Sequence, residues 1–173
     1  MNGLRSIFSK LDRRGAAAAE MALVAPMLAT LMVGSMELGK FFWDEHILAK
    51  AVRDGARFAS RQNFATMPCG GTATNETQIQ NVVRFGKPTV TGADRPRLHY
   101  WTNNNTVTVS ISCYANAGVD GARIYDGIYS ARPNVPIVRV RAAVPYSPVI
   151  GSLGFNATGL SINAYSESTV FGI

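Results

Sequence analysis

Gly15, and the Glu20 that stands five residues after it, are the positions whose types and spacing point to chemistry. A basic stretch carrying Arg5, Lys10, Arg13 and Arg14 runs into Gly15-Ala16-Ala17-Ala18-Ala19-Glu20, and Met21-Ala22-Leu23-Val24-Ala25-Pro26 follows without another charge. The chemistry would be hydrolysis of the peptide bond between Gly15 and Ala16. Gly lacks a Cβ, so an extended backbone can enter a protease cleft there without crowding. Glu20 would become the fifth residue of the shortened chain. A carboxylate on the shoulder of a membrane-length apolar segment is costly to bury and reads as functional by default. In an assembly it could neutralise the new α-amino group of a neighbouring chain, a pairing that low dielectric strengthens. The competing readings are structural. Gly15 would be a flexible joint ahead of a membrane helix, and Glu20 an interfacial side chain snorkelling toward lipid head groups.

Cys69 and Cys113 are the only cysteines. In an oxidising compartment they form one disulfide, tying the end of a helix to a strand; the alternative is two buried free thiols. A zinc site built from Cys69, Cys113, His46 and His99 is disfavoured, since no pair among them has ligand spacing such as Cys-x-x-Cys or His-x-x-x-His. No nucleophile elbow, phosphate loop or dinucleotide fingerprint is present. We therefore expect no enzyme activity, no metal and no cofactor. Trp101, Tyr125, Tyr129 and Tyr146 could form a contact surface, but such residues are more often core packing.

These residues need elements to hold them. The apolar run Ala16–Met36 has one charge, Glu20. As a helix it spans roughly 30 Å, one hydrocarbon core. Pro26 would kink it or remove one hydrogen bond, which membrane helices tolerate better than soluble ones. A removed secretory signal with its cut near Val33-Gly34-Ser35 is the rival reading, but the apolar stretch is long for a signal core and the helical pattern continues beyond it. The basic residues ahead of the run follow the positive-inside rule, placing the N-terminus in the cytoplasm and everything after the run outside. The net charge of +6 is otherwise spread thinly. Nucleic-acid binders concentrate basic residues on one face, so no nucleic-acid partner is expected.

From Glu37 to Gln62 helical pattern continues. Leu48, Val52, Ala56 and Ala59 make one apolar stripe, while Lys50, Arg53, Asp54, Arg57 and Arg61 lie opposite. Ala51, Gly55 and Ala59 fall four apart, a small-residue column that lets another backbone approach closely. That backbone belongs to the chain's own sheet, or at another height to a neighbouring subunit. Pro68 and Gly70-Gly71 break the element. Asn75–Phe85 reads as a short amphipathic helix. Thr106–Cys113 alternates as a half-buried strand, and Arg97–Trp101 would pair with it through the Asn-rich link 102–105, because Asn tolerates positive φ. Ile137–Val144 and Leu160–Phe171 complete four strands. The expected architecture is α+β: a long membrane-plus-stalk helix packed on a four-stranded antiparallel sheet. Its regions are a basic leader at 1–15, the helix at 16–62 and an extracytoplasmic α+β domain at 63–173.

Three blocks together, Arg14-Gly15-Ala16-Ala17-Ala18-Ala19-Glu20-Met21-Ala22-Leu23-Val24-Ala25-Pro26, then Met36-Glu37-Leu38-Gly39-Lys40, then Ala51-Val52-Arg53-Asp54-Gly55-Ala56-Arg57, resemble the TadE-like pseudopilins of tight-adherence (Flp-type) pilus systems. Family members commonly carry Phe or Tyr after the Glu, where this chain has Met21, a change that keeps the position apolar. The resemblance implies a bacterial inner-membrane protein with a prepilin-type leader, cut after Gly15 by a prepilin peptidase. It further implies partners in other pilin or pseudopilin subunits, met through the N-terminal helix, and in the inner-membrane assembly platform. The alternative is a periplasmic ligand- or partner-binding module held permanently by an uncleaved anchor.

Overall fold

A computed structural model describes the backbone of residues 2–118, 120–153 and 157–172, and the side chains of all of these except 2–14 and 152–153. The expected cluster of Arg5, Lys10, Arg13 and Arg14 thus lies outside the described side chains. Helix α1 runs from Asn2 to Ser60 without interruption, with Pro26 inside it. Ala, Leu and Met dominate its first half, and all are strong helix formers. The hydroxyl of Thr30 donates to the Pro26 carbonyl at 2.8 Å and that of Ser35 to the Leu31 carbonyl at 2.7 Å, so both hydroxyls of the apolar run bond within the helix. Its 18-residue apolar window has mean hydropathy 1.8 and none of it is buried. The core helix of a soluble domain would be covered. This one projects freely and is compatible with a single-pass membrane anchor.

Below Met36 the environment of α1 changes. Leu48, Val52, Ala56 and Ala59 are all buried, as the helical stripe predicts. They meet helix α2, Glu76–Phe85, and a sheet made of β1 (Val107–Ala115), β2 (Asn134–Pro145) and β3 (Ser161–Thr169). The strands form an antiparallel meander in the order β1-β2-β3. Val109 stands opposite Val140 and Val144 opposite Ile162. Val138, Val140, Ala142 and Val144 face α1 and are inaccessible, whereas Arg139 and Arg141 alternate outward. Each fully buried Val or Ile contributes roughly 1.5–3 kcal/mol, so this shared core holds helix and sheet together. α2 ends at Gly86, whose φ of +82° and N–H bond to Val82 form a left-handed cap.

The sheet has three strands among the described residues, not the expected four, and the Arg97–Trp101 hairpin arm does not form. A tight hairpin through 102–105 would require positive φ at an Asn, and no described residue other than Gly adopts it. Asn103 instead accepts the Asn105 N–H through its side chain and starts a short 3-10 turn, Asn104–Thr106. The segment ahead is claimed by α2. The Arg97 N–H donates to the Arg84 carbonyl at 2.7 Å, and the Arg84 guanidinium donates to the Trp101 carbonyl at 2.6 Å and to Asn104. Trp101 is 1% exposed and fills the core as a plug, with its indole N–H donating to Thr106 at 2.6 Å. Burial lowers the Arg84 pKa from its ordinary value.

Candidate functional site

Gly15, Ala16 and Glu20 all lie on the exposed surface of α1, remote from the folded head. A side chain at Gly15 would meet nothing within 4 Å. The backbone there is helical in the free chain, whereas a protease cleft would take it extended. Presenting the Gly15–Ala16 bond to a protease therefore requires local unwinding, and a helical Gly lowers that cost by about 1 kcal/mol relative to Ala. Glu20 lies one turn, about 6 Å of rise, beyond Ala16. Around it Leu23 is 81% exposed and Met27 67% exposed, so a large apolar surface awaits lipid or other helices.

At the opposite end of the apolar run a second constellation appears. Glu37, Lys40 and Asp44 project from one face of α1 toward two tyrosines of the head. The Glu37 carboxylate accepts from the Tyr146 hydroxyl, from the Val149 N–H at 3.0 Å and from the Ile150 N–H at 3.3 Å. It thereby caps the 3-10 turn Val149–Leu153. Lys40 donates to Asp44 at 2.6 Å and to the Ser147 carbonyl at 2.9 Å, while its ammonium sits 5.0 Å and 4.7 Å from the ring centres of Tyr100 and Tyr146. Asp44, 5% exposed, also accepts from the Tyr100 hydroxyl at 2.8 Å. Burial pushes both tyrosine pKa values well up, reinforced by the carboxylates that accept from them, so both hydroxyls remain donors.

This clasp locks the loop after β2 to the helix just where the apolar run ends. Sequence reasoning missed it as a site. Glu37 and Lys40 were visible only as part of a family block, and the i, i+4 spacing of Lys40 and Asp44 was the one local signal. Their partners in the head lie 56 to 113 residues away along the chain.

Ala51, Gly55 and Ala59 are buried inside the protein. A Cβ at Gly55 would stand 2.3 Å from Cγ2 of Val83 and 3.5 Å from Cγ1 of Val140. At this height the column receives the chain's own α2 and β2. Cys69 and Cys113 are joined, with Cα atoms 5.7 Å apart, and close a separation of 44 residues. The bridge ties the segment after α1 to β1. Replacing Cys113 by Ser is expected to cost about 3–4 kcal/mol and to lower the Tm by roughly 10 °C. Calorimetry of the two proteins checks this, and quantitative alkylation of both thiols in unreduced, denatured protein would contradict the bridge. With both sulfurs so used, neither is a zinc ligand. His99 packs edge-on against Tyr100 at 5.1 Å.

Residues 15–57 match the family model for TadE-like protein. That is about a quarter of the chain, beginning at Gly15 and ending at Arg57. The matched segment contains Glu20, the helical half of the clasp, and Ala51 and Gly55 of the small-residue column. It is consistent with a TadE-like pilus assembly protein. No curated protein and no solved structure matches the chain.

Proposed function

From that match we propose that the chain is a membrane-anchored pseudopilin, a minor pilin-like structural protein of a tight-adherence pilus machine, matured by prepilin-peptidase cleavage between Gly15 and Ala16. The observation that carries the reading is the coincidence of three features on one helix. The family match opens at Gly15, Glu20 follows at one turn from Ala16, and the apolar surface beyond is exposed to whatever surrounds it. An isolated helix of this kind is stable in lipid, where its backbone is internally bonded. It can also exchange lipid for neighbouring pilin helices, since both are apolar and the exchange costs little hydrophobic energy.

In this reading the leader is the cytoplasmic anchor. Cutting removes a net +3 carried by residues 1–15 and leaves an α-amino group at Ala16 with an ordinary pKa near 8, largely charged at neutral pH. Glu20 on a neighbouring subunit, or on the same chain, is its counter-charge. The head stands on the periplasmic side of the bacterial inner membrane. The partners are the prepilin peptidase, pilin and pseudopilin subunits, and the inner-membrane assembly platform. The protein works as an assembled part, not as an enzyme. A reporter active only in the periplasm, fused after Ile173, should give full signal, and a reporter active only in the cytoplasm should give none. The reverse pattern would overturn the orientation.

A further inference from the structure

A groove of about 400 Å³ opens where α1 leaves its apolar run, between Gly34, Leu38 and Phe41 of the helix and Tyr146, Ile150 and Leu160 of the head. Its walls are almost wholly carbon. The one charged group at its edge, Glu37, is already matched by the Tyr146 hydroxyl and two backbone N–H groups. A carboxylate satisfied in this way can face an apolar medium at far lower cost than a free one. The head therefore presents an apolar foot directly beside the end of the span, and the clasp fixes its height. Phe41 stacks edge-on with Tyr146 at 5.3 Å and stiffens the junction.

The surroundings say what covers this foot. Gly34 belongs to the apolar run, so the groove is continuous with the surface that the anchor presents to lipid. Leu38 is 55% exposed and Val149 and Leu160 are each 44% exposed, all beside the same helical turns. Phe42 and Trp43 stand exposed one turn further on, the position at which aromatic side chains mark a membrane–water interface. A protein partner would have to reach this height within the bilayer boundary, whereas lipid is already there.

We propose that the foot formed by Val149, Ile150 and Leu160 inserts into the hydrocarbon edge of the outer leaflet of the membrane, so that the head is seated on the bilayer as well as tethered to it. This rests on the anchored reading above. Seating would hold the head at a fixed tilt until the subunit is lifted out. The groove would then be released from lipid in the same movement.

The test uses the full chain in phosphatidylcholine–phosphatidylglycerol vesicles, with an environment-sensitive fluorophore on single cysteines introduced as Val149→Cys, Leu160→Cys, Leu28→Cys or Tyr114→Cys. The native disulfide is left unreduced, and nitroxides on the lipid acyl chains serve as quencher. Quenching at 149 and 160 should reach at least about half that at 28 in the span, and 114 on β1 should be unquenched. Adding Glu37→Ala should reduce quenching at 149 at least about twofold and leave 28 unchanged, since only the clasp is lost. Quenching at 28 with 149 and 160 behaving like 114 overturns the foot and spares the anchor. Labels at 149 and 160 shielded from both lipid nitroxide and aqueous iodide would mean that a second protein fills the groove, and also overturn it. No quenching at 28 would remove anchor and foot together.

Discussion

Gly55→Val should severely destabilise the head. Any Cβ at position 55 stands 2.3 Å from Cγ2 of Val83, and the added methyls of valine reach toward Val140 as well. Val83 cannot swing aside: it is fully buried, sits in a helix and is held by its own β-branch in one rotamer. Relief requires α2 to move off α1, which opens the core around Ile79 and Trp101. Overpacking at such a site costs about 3 kcal/mol or more, and the Tm should fall by roughly 10 °C. Gly39 provides the comparison within the same helix, because a Cβ there meets nothing within 4 Å. Gly39→Ala should leave stability unchanged or raise it by about 1 kcal/mol through helix propensity. A Gly55→Val protein melting with the wild type would contradict the described seating of α2 on α1.

The second large effect concerns maturation. Gly15→Leu places a branched side chain at the bond to be cut and also strengthens the helix that must unwind. It should leave the full-length chain, residues 1–15 included, in the membrane. Glu20→Ala changes a residue beyond the bond and removes one charge from an apolar surface. Cutting should proceed close to normally, while pilus formation fails because the new amino group at Ala16 loses its counter-charge among neighbouring helices. Mass spectrometry of the membrane fraction and counts of surface pili separate the two phenotypes. Normal piliation with Glu20→Ala would reduce Glu20 to an interfacial side chain.

Periodicity made most of the frame readable. The stripe of Leu48, Val52, Ala56 and Ala59 follows a 3.6-residue repeat, and the alternation through Val138, Val140, Ala142 and Val144 follows a two-residue repeat, so both faces were identifiable before any packing was known. The exposed apolar span was readable from its length and its single charge, Glu20. The stretch 97–106 was misread because its fate is decided elsewhere. Buried Arg84 binds the Trp101 carbonyl and Asn104, and it outcompetes the strand ladder that the local sequence suggests. Cys69 and Cys113 left bridge and free thiols both open, since spacing alone carries no distance. The clasp was invisible for a related reason. Glu37, Lys40 and Asp44 look like one solvated face of a helix, and only Tyr100 and Tyr146, delivered by the fold, engage them and bury Asp44. Local signals specify elements, whereas contacts between distant segments specify sites.

The central claim is that this chain is an assembly subunit released from its leader by a cut after Gly15, and the intact mass of the protein isolated from its native membrane tests it most directly. The account predicts a chain beginning at Ala16, lighter by residues 1–15, with Cys69 and Cys113 two hydrogens short of the free thiols. A chain that retains Met1 to Gly15 in the presence of its own peptidase would contradict the account and leave a permanently anchored binding module in its place.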